Sequence, residues 1–105
     1  MADGKSIRIF WHRDLPPADA QPLGAHVVEA TSDHVPGKFG HMDEQWGVCY
    51  ETLMSSVRRR LTDEITRLGG TCAHVLQETI EARHNDVVGD AWLHGRFEYM
   101  LFKED

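Results

Sequence analysis

Trp46, Tyr50, Leu53, Met54, Val57, Leu61, Ile65 and Leu68 recur at spacings of three and four, the period of an α-helix with one apolar face. Glu51, Ser55, Arg58, Arg59, Thr62, Asp63 and Thr66 fill the opposite side. Arg59 with Asp63, and Arg60 with Glu64, stand four apart with opposite charge, a spacing that supports a helix by roughly 0.2–0.5 kcal/mol per pair. Asp43 and Glu44 suit the positive end of the helix dipole. Gly69 and Gly70 supply the left-handed stop. An apolar stripe this long must be covered, and what covers it has to come from the rest of the chain.

The flanking segments read as strands. Ser6–His12 is a first strand, ended by the turn-forming run Asp14-Leu15-Pro16-Pro17, and Gly24–Thr31 is a second. Residues 32–45, with Pro36, Gly37 and Gly40, read as a loop. Behind the helix, Thr71–Glu81 and Ala91–Lys103 read as two strands joined by the polar loop Ala82–Asp90. The last strand alternates, with Ala91, Leu93, Phe97, Tyr99 and Leu101 on one face and His94, Arg96 and Glu98 on the other. Pairing about the loop centre sets Ala73 opposite Tyr99 and Val75 opposite Phe97. It also sets Gln77 opposite Gly95 and Thr79 opposite Leu93. The expected fold is a single α+β domain over residues 1–105, an antiparallel sheet in ββαββ order with one long amphipathic helix packed across it. The first two strands either pair with each other or flank the hairpin.

Charge and cysteine count narrow the setting. A formal net charge of −6 repels phosphate backbones and anionic lipid, so neither nucleic acid nor a membrane is an expected partner. The polar start Met1–Ser6 and the short apolar run Ile7–Trp11, broken by Arg8, resemble neither a secretory signal nor a membrane span. The expectation is a cytoplasmic protein with reduced cysteines. Cys49 lies near the helix start and Cys72 beyond its end. About 20 helical residues rise roughly 30 Å, too far for a disulfide within one chain, though not for one between subunits.

The stretch Val57–Lys103, with its helix running into Leu68-Gly69-Gly70 and then strand, loop and strand, resembles the small bacterial YbjQ family, described as heavy-metal-binding. Gly24-Ala25-His26-Val27-Val28 is similar to that family's second strand. The helix–glycine–strand–strand half is also similar to the related envelope stress sensor RcsF. The resemblance implies a compact α+β subunit that assembles into a ring-like homo-oligomer, with a divalent or soft metal ion as ligand. It offers no residue motif to carry over. Ser32–Gln45 lacks the family's glycine-rich run, and Thr71-Cys72-Ala73-His74 is more polar than its counterpart.

The histidines are the chemical anomaly: His12, His26, His34, His41, His74, His84 and His94 in 105 residues. None stands at metal-ligand spacing in the sequence, so a site must be assembled in space. The expected hairpin register does this on its polar face. It places His74 opposite Glu98 and Glu78 opposite His94, with about 5 Å between cross-strand Cβ atoms. Two imidazoles and two carboxylates there suit zinc, nickel or another divalent cation. The plainer alternative is a solvated, charge-paired sheet face or an oligomer contact, and Arg96 in the middle counts against a cation. A second cluster gathers His84 and Asp86 of the hairpin loop near His41 and Cys49 at the helix start. There a low-pKa thiolate competes with the plainer reading of Cys49 as a small buried apolar residue. Arg58-Arg59-Arg60 reads as a solvated helix face.

Three functional classes follow, in order of preference. The first is a non-catalytic homo-oligomeric binding module, for a metal ion at His74, Glu78, His94 and Glu98. The second is a structural or stress-associated interaction domain whose sheet edges or loops contact a partner. The third is an enzyme using Cys49 or the His–Glu face.

Overall fold

The computed structural model describes residues 7–36 and 42–104, and the expected role of His41 lies outside them. The elements run β1 (Arg8–Phe10), β2 (Gln21–Thr31), β3 (Val35–Pro36), α1 (Met42–Arg67), β4 (Cys72–Asn85) and β5 (Asp90–Lys103). They form an α+β fold with one helix on one face of a five-stranded sheet of order β1-β4-β5-β2, with β3 also pairing β5.

The sheet is mixed rather than antiparallel throughout. β4 and β5 form the expected antiparallel hairpin, and β2 lies antiparallel along β5. β1 instead pairs parallel with β4, Arg8 opposite Cys72 and Phe10 opposite His74. The first two strands therefore flank the hairpin on opposite edges, and residues 11–20 must cross one face of the sheet to join them. His74 alternates with Ala73 and Val75, both buried in the core beneath the helix, so it lies on the other face. Its Nε2 stands 3.2 Å from the Asp14 carbonyl oxygen, which brings the chain at Asp14 to that far face, while Trp11 and His12 just before it reach Phe97 and Glu78 on the helix side.

Leu53, Met54, Val57, Leu61 and Ile65 pack on Val28, Ala30, Ala73, Val75, Phe97, Tyr99 and Leu101. Near the start of the stripe Trp46 is only half-buried and Tyr50 is exposed. The helix ends where Gly69 takes φ +82°. Gly70 N donates to Ile65 O at 2.9 Å and Gly69 N to Thr66 O at 3.2 Å, the paired bonds of a Schellman stop.

The hairpin departs from the expected register. Its strands continue to Asn85 and from Asp90, so the turn has only residues 86–89. Asn85 builds that turn: its side-chain oxygen accepts from Val87 N at 3.1 Å and its carbonyl from Gly89 N at 2.8 Å, with Gly89 at φ +74°. The shorter turn slides the pairing to Ala73–Leu101 and Val75–Tyr99. A bulge at Leu76 then adds one residue to β4, and pairing resumes as Gln77–Glu98 and Glu78–Phe97. The extra residue exchanges the faces of β4 beyond it, so Glu78 joins Phe97 on the helix side. Among the described residues no helix is long and apolar enough to cross a membrane.

Candidate functional site

The four residues expected to hold a metal are dispersed, and each is engaged elsewhere. His74 sits opposite Met100 on the far face, against the Asp14 carbonyl. Glu78 is turned by the bulge to the helix face, where its Oε2 lies 3.2 Å from His12 Nδ1. His94 stands across from Glu81, but its Nε2 meets Glu29 Oε1 of β2 at 2.8 Å. Glu98 lies between Gln77 and Val27 and accepts from Arg96 Nη1 at 3.0 Å. Neither His74–Glu98 nor Glu78–His94 is a cross-strand pair. Among the described residues there is no group of three or more His, Cys, Asp and Glu placed to hold a metal ion.

The histidines act instead as clips between elements. His12 ties the turn after β1 to β4, and His94 ties β5 to β2. His34 stacks flat on Trp92, ring centroids 4.2 Å apart, with Nδ1 3.2 Å from Asp90 Oδ2. His84 meets Trp46 edge-on at 6.2 Å, which brings the hairpin end to the helix start as expected. Cys49 there is fully buried, and its thiol donates to Asp33 O at 3.6 Å. This geometry favours the plainer reading of Cys49. Cys72 is also buried and free, and burial pushes its thiol pKa up, away from thiolate chemistry.

The feature that sequence reasoning missed is a groove between α1 and the outer edge of β2. α1 lies over β2 and β5 more than over β4. Val27, Val28 and Glu29 form the strand wall of one stretch, of about 500 Å³, and Arg59, Arg60, Asp63 and Glu64 form its helix wall. A second stretch, of about 540 Å³, continues along Thr31, Ser32 and Asp33 on one side and Glu51, Thr52, Ser55 and Ser56 on the other, sharing Arg59. Asp33 anchors this end to the helix, its N–H donating to Thr52 Oγ1 at 3.0 Å. Ser32 continues the ladder past β2: its N–H donates to Leu93 O and its hydroxyl accepts from Leu93 N, each at 2.9 Å.

The charges on the helix wall are not arranged as their spacing suggests. Glu64 is taken by Arg67, which donates from Nε at 3.1 Å and Nη2 at 2.8 Å. This bidentate contact holds the Glu64 carboxyl below its ordinary pKa. The expected Arg59–Asp63 and Arg60–Glu64 ion pairs are absent, and among the described residues Arg59, Arg60 and Asp63 form none. Beside them β2 is the terminal strand of the sheet. Among the described residues, nothing pairs with its outer side over Gln21–Thr31. An open strand presents alternating N–H and C=O groups, which are satisfied by water or by another extended chain. No family model matches this chain, and neither a curated protein nor a solved structure matches it.

Proposed function

We propose that this chain is a non-catalytic interaction module that accepts an extended strand along β2, in the groove beneath α1. One observation carries the reading: an eleven-residue terminal strand with an open edge lies beside a helix wall whose Arg59, Arg60 and Asp63 have no ion pair among the described residues. Main-chain hydrogen bonds to such an edge give affinity to any extended chain, and the side chains beside it choose which one. Val27, 44% exposed at the middle of the strand, offers apolar contact on the far face. The metal-binding reading has less support, because its four residues lie on two faces and are each paired elsewhere.

Selection of random peptides displayed against the full chain tests the reading. Bound peptides are expected to slow hydrogen exchange in Gly24–Thr31 and to shift the resonances of Arg59, Arg60 and Asp63. Peptides that bind elsewhere, or none that protect β2, would overturn it.

A further inference from the structure

We infer that the strand accepted along β2 is the β2 of a second copy of this chain, giving a twofold dimer with antiparallel helices; the inference rests on the open-edge reading above. The two stretches of the groove fix the relative level of strand and helix. Val27–Glu29 lie beside Arg59–Glu64, and Thr31–Asp33 beside Glu51–Ser56, so α1 runs antiparallel to β2. Val28 is level with the point on the helix midway between Arg60 and Asp63.

Consider a twofold axis through the open edge, perpendicular to the sheet. Passing at Val28, it pairs Val28 with its own copy, Val27 with Glu29, and His26 with Ala30, each pair sharing a face. The same axis sets Arg60 level with Asp63 of the second copy, and Arg59 level with Glu64. Every such encounter joins a cation to an anion. Strand residues rise about 3.3 Å and helix residues about 1.5 Å, so moving the axis by one strand residue moves the helix level by about two. At Val27 the axis brings Asp63 and Glu64 against their own copies; at Glu29 it brings Arg59 and Arg60 against theirs. Among these three neighbouring registers the charges therefore select Val28. Glu29 faces the uncharged Val27 of the second copy in that register, so it adds no like-charge pair.

Spacing agrees with charge. α1 lies over β2 and β5, about half a strand interval inside the edge. With paired strands about 4.8 Å apart, the two helix axes fall roughly 10 Å apart, close to the usual interaxial distance. Ser56, a short side chain on the β2 side of the helix, comes level with Arg67 of the second copy and leaves it room. A ring would instead need β2 to meet a different surface on its neighbour, and a self-complementary edge closes at two copies.

Sedimentation equilibrium of the full chain tests this. Wild type is expected to be a reversible dimer. Arg60→Glu and Asp63→Lys should each weaken it about tenfold or more, because each sets like charges together twice at the seam. Mixed one to one, these two variants should form a heterodimer of wild-type strength, since each contact again joins opposite charges. Val27→Glu, which sets a carboxylate directly opposite Glu29 of the second copy on both sides of the axis, is the independent variant and should also give monomer. The inference is overturned if wild type stays monomeric up to about millimolar concentration, if the variants dimerise like wild type, or if the mixture associates no better than its components. A monomer whose β2 is protected by selected peptides leaves the open-edge reading standing and removes only the second copy. An assembly larger than two chains with β2 protected does the same to the twofold, whereas unprotected β2 under every condition removes both.

Discussion

The two flanks of the sheet end in open strands and treat them in opposite ways. On the β4 flank, β1 covers Cys72–His74, and the turn that follows sends His12 onto Glu78 and the edge of Trp11 onto Phe97, ring centroids 6.4 Å apart. Beyond this cover β4 is bulged at Leu76, and its free stretch carries Glu81 and Arg83, paired at 3.1 Å. Bulges and charges are the usual means of keeping an edge from pairing. The β2 flank has neither over Ala25–Thr31, since its irregularity lies between Pro22 and Gly24 and its one carboxylate, Glu29, is bound to His94. Open length alone does not mark a docking strand, because both edges have it. What separates them is whether the chain has spent residues on blunting the edge.

The largest expected effect comes from stripping the cover from the β4 flank. Trp11 packs against the core and meets Phe97 edge-on. Trp11→Ala should destabilise the protein by about 2–3 kcal/mol in urea denaturation, less than a fully buried aromatic because Trp11 is half-buried. Hydrogen exchange should quicken in Arg8–Phe10 and Cys72–His74 and stay unchanged in Val27–Thr31. Equal loosening of both edges would show that the flanks are not independent.

The same contrast explains what could be read in advance. The helix, its glycine stop and the existence of the hairpin are local matters, carried by the spacing of Leu53, Val57, Leu61 and Ile65 and by Gly69. The parallel contact of β1 with β4 joins residues more than sixty positions apart and leaves no periodic trace. Ala82–Asn85 is polar and reads as loop, yet it is strand because it pairs with Asp90–Leu93. The deciding residues were Asn85 and Gly89, which build a four-residue turn where a nine-residue loop was expected. The candidate metal site depended wholly on register, so the shorter turn and one bulged residue, Leu76, were enough to disperse it. The β2 groove follows from strand order, which no single segment encodes.

Two buried groups give each flank its own response to alkali. Cys72 lies under the β1 cover, and burial raises its thiol pKa above the ordinary 9.0. Tyr99 lies under the helix beside His26 of β2, and burial raises its phenol above the ordinary 10.0. Each folded-state pKa is raised, so the folded form holds its proton more tightly. The associated stability is complete below the ordinary value and declines as pH rises past it. Urea denaturation from pH 7 upward should show stability falling beyond pH 9 in wild type. Cys72→Ala should delay the onset, and Tyr99→Phe should flatten the later fall. Among the described residues the buried Tyr99 hydroxyl also has no hydrogen-bond partner, so Tyr99→Phe should gain about 1 kcal/mol at neutral pH. Unchanged alkaline slopes in both variants would place the loss elsewhere.

The smallest effect on stability is expected where the comparison is sharpest, at the charges that blunt β4. Glu81 and Arg83 are exposed and their pair lies on the surface. Replacing both with Val should change folding stability by no more than about 0.5 kcal/mol, since a screened surface pair contributes little and Val favours a strand. Their effect on association should be out of proportion to that. Without them, Thr79–Asn85 carries no Asp, Glu, Lys or Arg, and it should pair with its own copy just as β2 is proposed to do. A chain with two sticky edges on opposite flanks cannot close at two copies, so light scattering should show open assemblies that lengthen with concentration. Adding Val27→Glu to the double variant should cap that growth at two copies, joined through β4 instead. Growth that persists with both changes, or that never appears without the charges, would mean that blunting is not what distinguishes the two flanks.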